Sequence, residues 1–235
     1  MKQKILILGC SYTSPYNPTV EPECYSHQKW PDFLAKKIKC NSYQNLALSG
    51  GGSSFIQYTT TKHLIQSNDV NNIRCVIVAW PSANREDVKL YKRFGKNPSA
   101  QWKNSILRSD MFEYIEHRWI EQSLVDMWSV YSLCGFYNVP YIGFQMGPFY
   151  GYLFVDETNP HVLDLNKVPR PRLEEYDVYK KLVSNNHLSN NLNLCLYNEL
   201  NLYRYMYNDN DSHFNEDGHK LVSEWVYDEI QRLGY

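Results

Sequence analysis

The chain has 235 residues, 43% hydrophobic and 21% charged, which suits a folded core and excludes a chain disordered by composition. Its 24 basic and 25 acidic residues leave a formal net charge of −1, which argues against a surface built for nucleic acid or an anionic membrane. Aromatic residues reach 15%, with 20 tyrosines, an excess that fits a heavy core, an interface or a sugar-binding surface alike.

The length suits one domain or two small ones at roughly 150 residues per domain. After Met1-Lys2-Gln3-Lys4 only Ile5 to Leu8 are apolar before Gly9, too short a run for a secretion signal. No stretch approaches the ~20 apolar residues of a membrane-spanning helix. The six cysteines, at 10, 24, 40, 75, 134 and 195, form no C-x-x-C pair, so neither a zinc site nor a thioredoxin-type centre is signalled. The expectation is a reduced, cytoplasmic chain.

In chain order, Lys4–Gly9 is a short apolar run of the kind buried on both faces of a parallel sheet. Trp30–Lys39 carries Trp30, Phe33, Leu34 and Ile38 on a helical stripe, with Pro31 in the first turn. Ser42–Leu48 reads as a second strand, closed by Ser49-Gly50-Gly51-Gly52. Ser53–Ser67 follows as a helix opened by serines. Ile73–Trp80 is a third strand, and Met111–Tyr137 a long helix. Val139–Gln145 is a fourth strand and Asn193–Tyr197 a fifth. Leu221–Leu233 closes the chain as a helix. The alternation predicts β-α-β units, a parallel five-stranded sheet and helices on both faces. It also predicts a single domain over 1–235, with elaborated loops at about 81–110 and 146–171. Both loops follow strands and therefore fall at the C-terminal edge of the sheet, where such folds bind ligands.

Three segments carry chemistry-bearing residues. Gly9-Cys10-Ser11-Tyr12-Thr13 puts a serine at the open end of the first strand, although a serine there reads first as a turn cap. Asn45-Leu46-Ala47-Leu48-Ser49-Gly50-Gly51-Gly52 lets the backbone approach a ligand and aim N–H groups at an anion, or forms an ordinary turn. Asp209-Asn210-Asp211-Ser212-His213-Phe214-Asn215 sets carboxylates two and four residues before a histidine, the pairing that orients an imidazole. It reads otherwise as a polar loop capping the last helix. A metal reading with Asp211, His213 and His219 needs an i, i+6 histidine pair, which is not a ligand spacing. Phosphate-loop and dinucleotide spacings are absent.

Together the three segments resemble the SGNH (GDSL-type) hydrolases. Ser11 matches the nucleophile position, and Gly50, five residues after Asn45, matches the oxyanion-hole glycine. His213-Phe214-Asn215-x-x-Gly218-His219 matches the block that supplies the base. The blocks stand in the family order and span residues 5 to 230. The resemblance implies a flavodoxin-like three-layer α/β/α sandwich and ester hydrolysis through a Ser11–His213–Asp211 triad. No metal or cofactor is implied. Two departures stand out. The position three before His213 is Asn210, so Asp211 or Asp209 takes the acid's place. The third block, G-x-N-D in the family, is replaced by Trp80-Pro81-Ser82-Ala83-Asn84-Arg85, where Asn84, or Ser82 as the alternative, becomes the third oxyanion donor.

The resemblance implies a small ester as substrate, an acetylated carbohydrate above all. Phe149, Tyr150 and Tyr152 of the second loop are the candidate sugar-stacking residues, or else pack back on the core. Partners are a small ester or acylated sugar, with no nucleic acid and no membrane. A catalytically inactive glycan-binding or assembly module, and an acyltransferase with the same residues, are the competing readings. The Asn-, Lys- and Tyr-rich composition is that of AT-rich genomes, viral ones among them.

Overall fold

The computed structural model describes residues 4–17, 28–38, 42–66, 70–83, 109–147, 149, 173–184, 195–208 and 211–235. Of residues 42, 109–117, 197, 198, 203, 208, 211 and 212 it describes the backbone alone.

The apolar runs become strands because burial on both faces offers nothing to polar side chains. β1 is Lys4–Leu8, β2 Ser42–Asn45, β3 Ile73–Trp80 and β4 Tyr141–Gln145. They form one sheet in the order β2-β1-β3-β4, every pair parallel. The helices are α1 Trp30–Lys37, α2 Ser53–Gln66, α3 Ser109–Phe136, α4 Asp177–Ser184, α5 Leu196–Glu199 and α6 Glu216–Arg232. A separate antiparallel hairpin joins β5, Met206–Asn208, to β6, Asp211–Phe214.

Strand periodicity sorts the core into two layers. Ile5 and Ile7 of β1, with Ile77 of β3 and Phe144 of β4, pack against Trp30 and Leu34 of α1 and Val222, Val226 and Ile230 of α6. Leu6, Leu8, Val76 and Val78 point the other way, onto Ile56 and Leu64 of α2 and Leu124, Met127 and Val130 of α3. The crossover from β1 to β2 lies on one face, and those from β2 to β3 and β3 to β4 on the other. A common handedness requires this when the chain reverses direction across the sheet. The result is the expected three-layer α/β/α sandwich with a flavodoxin-like order.

Two expectations need correction. The sheet has four parallel strands among the described residues, not five. Of the expected fifth strand, Asn193–Tyr197, residues 193 and 194 lie outside the described residues, while Cys195 precedes α5 and Leu196 opens it. Both residues are buried, so the apolar signal was real, but a run this short does not distinguish strand from helix. No helix among the described residues is long and apolar enough to cross a membrane. Cys10, Cys75, Cys134 and Cys195 are buried and in no disulfide. Cys24 and Cys40 lie outside the described residues.

The sheet order places a topological switch between β1 and β3, whose outgoing connections leave in opposite directions. The crevice at their C-terminal ends is where an open α/β sheet accepts a ligand.

Candidate active site

Ser11 lies directly beyond β1, at that crevice, and is 8% exposed. Its loop is a single tight turn: the carbonyl of Cys10 accepts the N–H groups of Thr13 and Ser14, both at 2.9 Å. The N–H of Ser11 is not among the turn's donors. Gly9 is required by crowding. A Cβ there would sit 2.6 Å from Thr13 Oγ1, 2.8 Å from Thr13 Cβ and 3.1 Å from the carbonyl oxygen of Ala79 at the end of β3. Thr13 is held in turn, its Oγ1 accepting from Trp30 Nε1 at 3.2 Å.

Asn45, the last residue of β2, joins the serine turn to the glycine loop. Its Nδ2 donates to the carbonyl of Thr13 at 2.7 Å, and its Oδ1 accepts the N–H of Ala47 at 3.0 Å. The loop then bonds back to the first strand's exit, Leu48 N–H to Gly9 O at 3.2 Å. Gly51 N–H closes a turn onto Leu48 O at 2.9 Å, and Gly50 adopts φ +78°, a left-handed conformation natural to glycine. Helix α2 starts at once, its first two serines tied to α3: Ser53 Oγ lies 3.1 Å from Ser123 Oγ, and Ser54 Oγ donates to Asp126 at 2.8 Å. The peptide of Gly50 is thus held between the serine turn and two packed helices.

His213 lies on β6. Its ring lies 5.0 Å, centroid to centroid, from the ring of Tyr12, the residue after Ser11. Phe214 packs on the same tyrosine at 4.9 Å. The turn from β6 into α6 explains the H-x-N-x-x-G spacing. Asn215 caps α6 by accepting the Gly218 N–H at 3.1 Å, and its own N–H donates to Tyr205 O at 2.7 Å. A Cβ on Gly218 would meet Phe214 Cβ at 2.9 Å and Tyr205 Cβ at 3.0 Å, so the hairpin can approach the helix only over a glycine.

His219 has a different place from His213. It is 1% exposed, edge-on to Phe214, and neither ring nitrogen has a hydrogen-bond partner. Burial, with the positive charge of Lys29 and the neighbouring His213, pushes its pKa down to about 3. It is a neutral core histidine. Among the described residues no three His, Cys, Asp or Glu side chains gather as metal ligands do.

The other expected residues divide. Asp211 stands on β6 two positions before His213, so the D-x-H pair lies on a strand rather than in a tight turn. Ser82 follows β3 at the same edge and is half-buried. Asn84, Tyr150, Tyr152 and Asp209 lie outside the described residues. Phe149, expected to face a substrate, is 1% exposed and packs in the core on the α2–α3 side, its carbonyl accepting the Ala83 N–H at 2.7 Å. Its ring is a packing element that docks the loop after β4 against the exit of β3.

Gln145 was missed by the sequence reading. It is fully buried at the end of β4 and donates through Nε2 to the carbonyls of Pro81, at 3.0 Å, and Gly147, at 2.8 Å. The available signal was a lone amide closing the apolar strand Tyr141–Gln145.

No protein-family model and no curated protein matches the chain. Solved structures do. The psychrotrophic esterase EstA from Pseudoalteromonas sp., in a structure inhibited by monoethylphosphonate, is 14% identical. The match covers 98% of this chain and 98% of that one, with a TM-score of 0.52. TesA is 11% identical over 98% of this chain and 99% of its own, with a TM-score of 0.55. The fold is that of the SGNH (GDSL-type) hydrolases.

Proposed function

We propose that the chain is a serine hydrolase of ester bonds, with Ser11 as nucleophile and His213 as general base. The observation that carries this reading is the packing of His213 on Tyr12. It brings the hairpin from the end of the chain onto the serine turn at the sheet's switch point. In the mechanism, His213 takes the Ser11 hydroxyl proton as Oγ attacks the ester carbonyl, and then gives it to the departing alcohol. The N–H groups of Ser11 and Gly50 hold the tetrahedral oxyanion, with Asn84 or Ser82 as third donor. One such donor is worth about 10²–10³ in turnover. Asp211, or Asp209, orients His213; positions 211 and 213 have the spacing that a strand repeats on one face. Water then attacks the acyl-serine, losing its proton to His213, which passes it to Ser11 Oγ as the bond to serine breaks and the acid is released. No step calls for a metal or cofactor.

The acyl group in this reading is small, an acetyl on a carbohydrate. Tyr150 and Tyr152 are the sugar-stacking candidates that remain once Phe149 is assigned to the core. The chain is read as one domain over 1–235, with elaborated loops at about 81–110 and 146–171. Transfer of the acyl group to a second sugar would use the same residues.

A fluorophosphonate probe tests the reading. It is expected to label Ser11. Ser11→Ala is expected to abolish both labelling and hydrolysis of an aryl acetate, with chelators without effect. A folded chain that neither labels nor turns over, but binds sugar, would establish the inactive glycan-binding module instead.

A further inference from the structure

We propose that Gln145 is a positioning residue for the oxyanion hole; this rests on the esterase reading above. The third oxyanion donor in that reading sits on the segment leaving β3, either Ser82 or Asn84. Of that segment, residues 81–83 lie beyond β3 and outside the strand ladder. Among the described residues, these hydrogen bonds hold it. Met146 N–H donates to Trp80 O at 3.0 Å, Ala83 N–H to Phe149 O at 2.7 Å, and Gln145 Nε2 to Pro81 O at 3.0 Å. The first two are backbone bonds that any sequence can make.

The Gln145 bond is a side-chain choice. It costs the burial of an amide at a position where an apolar residue would fit the strand, since the other β4 positions are apolar, aromatic or glycine. The same NH2 group also grips Gly147 O at 2.8 Å, so one amide spans both strand exits. Ser82 stands beside this brace, its Oγ 4.0 Å from where a Cβ of Gly147 would be. Pro81 offers the brace only a carbonyl, because proline has no N–H. The donor must therefore come from the β4 side, and Gln145 supplies it. The brace fixes the peptide before Ser82, and with it the direction in which the chain presents Ser82.

The test compares the full chain with Gln145→Met, which keeps length and burial but has no donor, and Gln145→Glu, which keeps one O–H donor only while protonated. Aryl acetate hydrolysis is measured well below each variant's unfolding midpoint, with the fold checked by circular dichroism. Gln145→Met is expected to lower kcat roughly 10- to 100-fold with KM within about twofold, the mark of a misaimed transition-state group. Gln145→Glu is expected to retain more activity at low pH and to lose it as its carboxyl ionises against the two carbonyls, a limb absent from the unaltered chain. In double mutants, removing the third donor, Ser82→Ala or Asn84→Ala, is expected to erase most of the Gln145→Met effect. Wild-type kcat in folded Gln145→Met, or full additivity with both donor variants, overturns the proposal alone. Should Gln145→Met not fold, the pH limb and cycles in Gln145→Glu decide. Absence of Ser11-dependent hydrolysis in the unaltered chain overturns the esterase reading and the proposal with it.

Discussion

Asn45 Nδ2 donates to the carbonyl of Thr13 at 2.7 Å, so the end of β2 holds the turn that presents Ser11. The same amide's oxygen holds Ala47, the first step towards Gly50. One side chain thus sets the distance between the proposed nucleophile and the proposed oxyanion N–H. Asn45→Asp keeps the Ala47 bond and puts an oxygen against the Thr13 carbonyl; Asn45→Leu loses both bonds. Both are expected to destabilise the fold by about 1–3 kcal/mol, the cost of buried groups left unpaired. They are also expected to lower kcat on an aryl acetate more than they raise KM. Urea unfolding and steady-state kinetics check this, and unchanged kcat in folded Asn45→Leu would contradict it.

Gly9→Ala tests the crowding beneath the serine turn. The new methyl would fall inside contact distance of Thr13 and of the β3 backbone at Ala79. A loss of about 1–3 kcal/mol is expected from overpacking. Thermal unfolding reads it, and a midpoint equal to that of the unaltered chain would show that the turn relaxes freely.

Gly218→Ala tests how His213 is seated. A methyl there meets Phe214 and Tyr205 at 2.9 and 3.0 Å and must push the hairpin off the start of α6. Because His213 rides on that hairpin, turnover is expected to fall well beyond the change in folded fraction. Equal losses in both would mean that the hairpin's position does not matter to the reaction.

His219 gives the fold an acid limit. It is neutral when folded, with a pKa near 3, whereas an unfolded histidine takes up a proton near pH 6.5. The unfolded state therefore binds more protons between those values, and stability falls as pH drops from about 6.5 towards 3, by up to about 1.4 kcal/mol per pH unit. Lys29, 1% exposed, and His213 are the neighbouring charges that reinforce this. His219→Leu removes two unpartnered nitrogens and is expected to flatten that slope in urea unfolding measured across pH. Parallel slopes in the two chains would refute it.

The main sheet was legible because β1, β3 and β4 are apolar runs with no helical alternative of the right length. The serine turn and glycine loop were legible because both break such runs with residues suited to tight backbone. Other features were hidden for physical reasons. Helix α4 shows its apolar face only through Val178, Tyr179 and Leu182, too few to stand out in eight residues. The β5–β6 hairpin is too short for alternation to register. Phe149 looked like a loop aromatic because nothing in its neighbours reveals that its carbonyl is bonded to Ala83. Gln145 looked like the end of a strand, since its partners are carbonyls, which every residue has.

Among the described residues, the hairpin carrying His213 forms its own two-stranded sheet, separate from the main one. A two-stranded ribbon alone has little stability in water. It keeps its place by docking Phe214 and His213 on Tyr12, a residue from the opposite end of the chain. Ser11 and Gly50 belong to early, neighbouring units that can assemble as the first strands pair. The proposed base, His213, joins them only when the last part of the sequence returns across the whole molecule, the slowest kind of closure for a chain to make. Catalytic competence would then be the final event of folding, and the onset of turnover during refolding would time the arrival of the C-terminal segment.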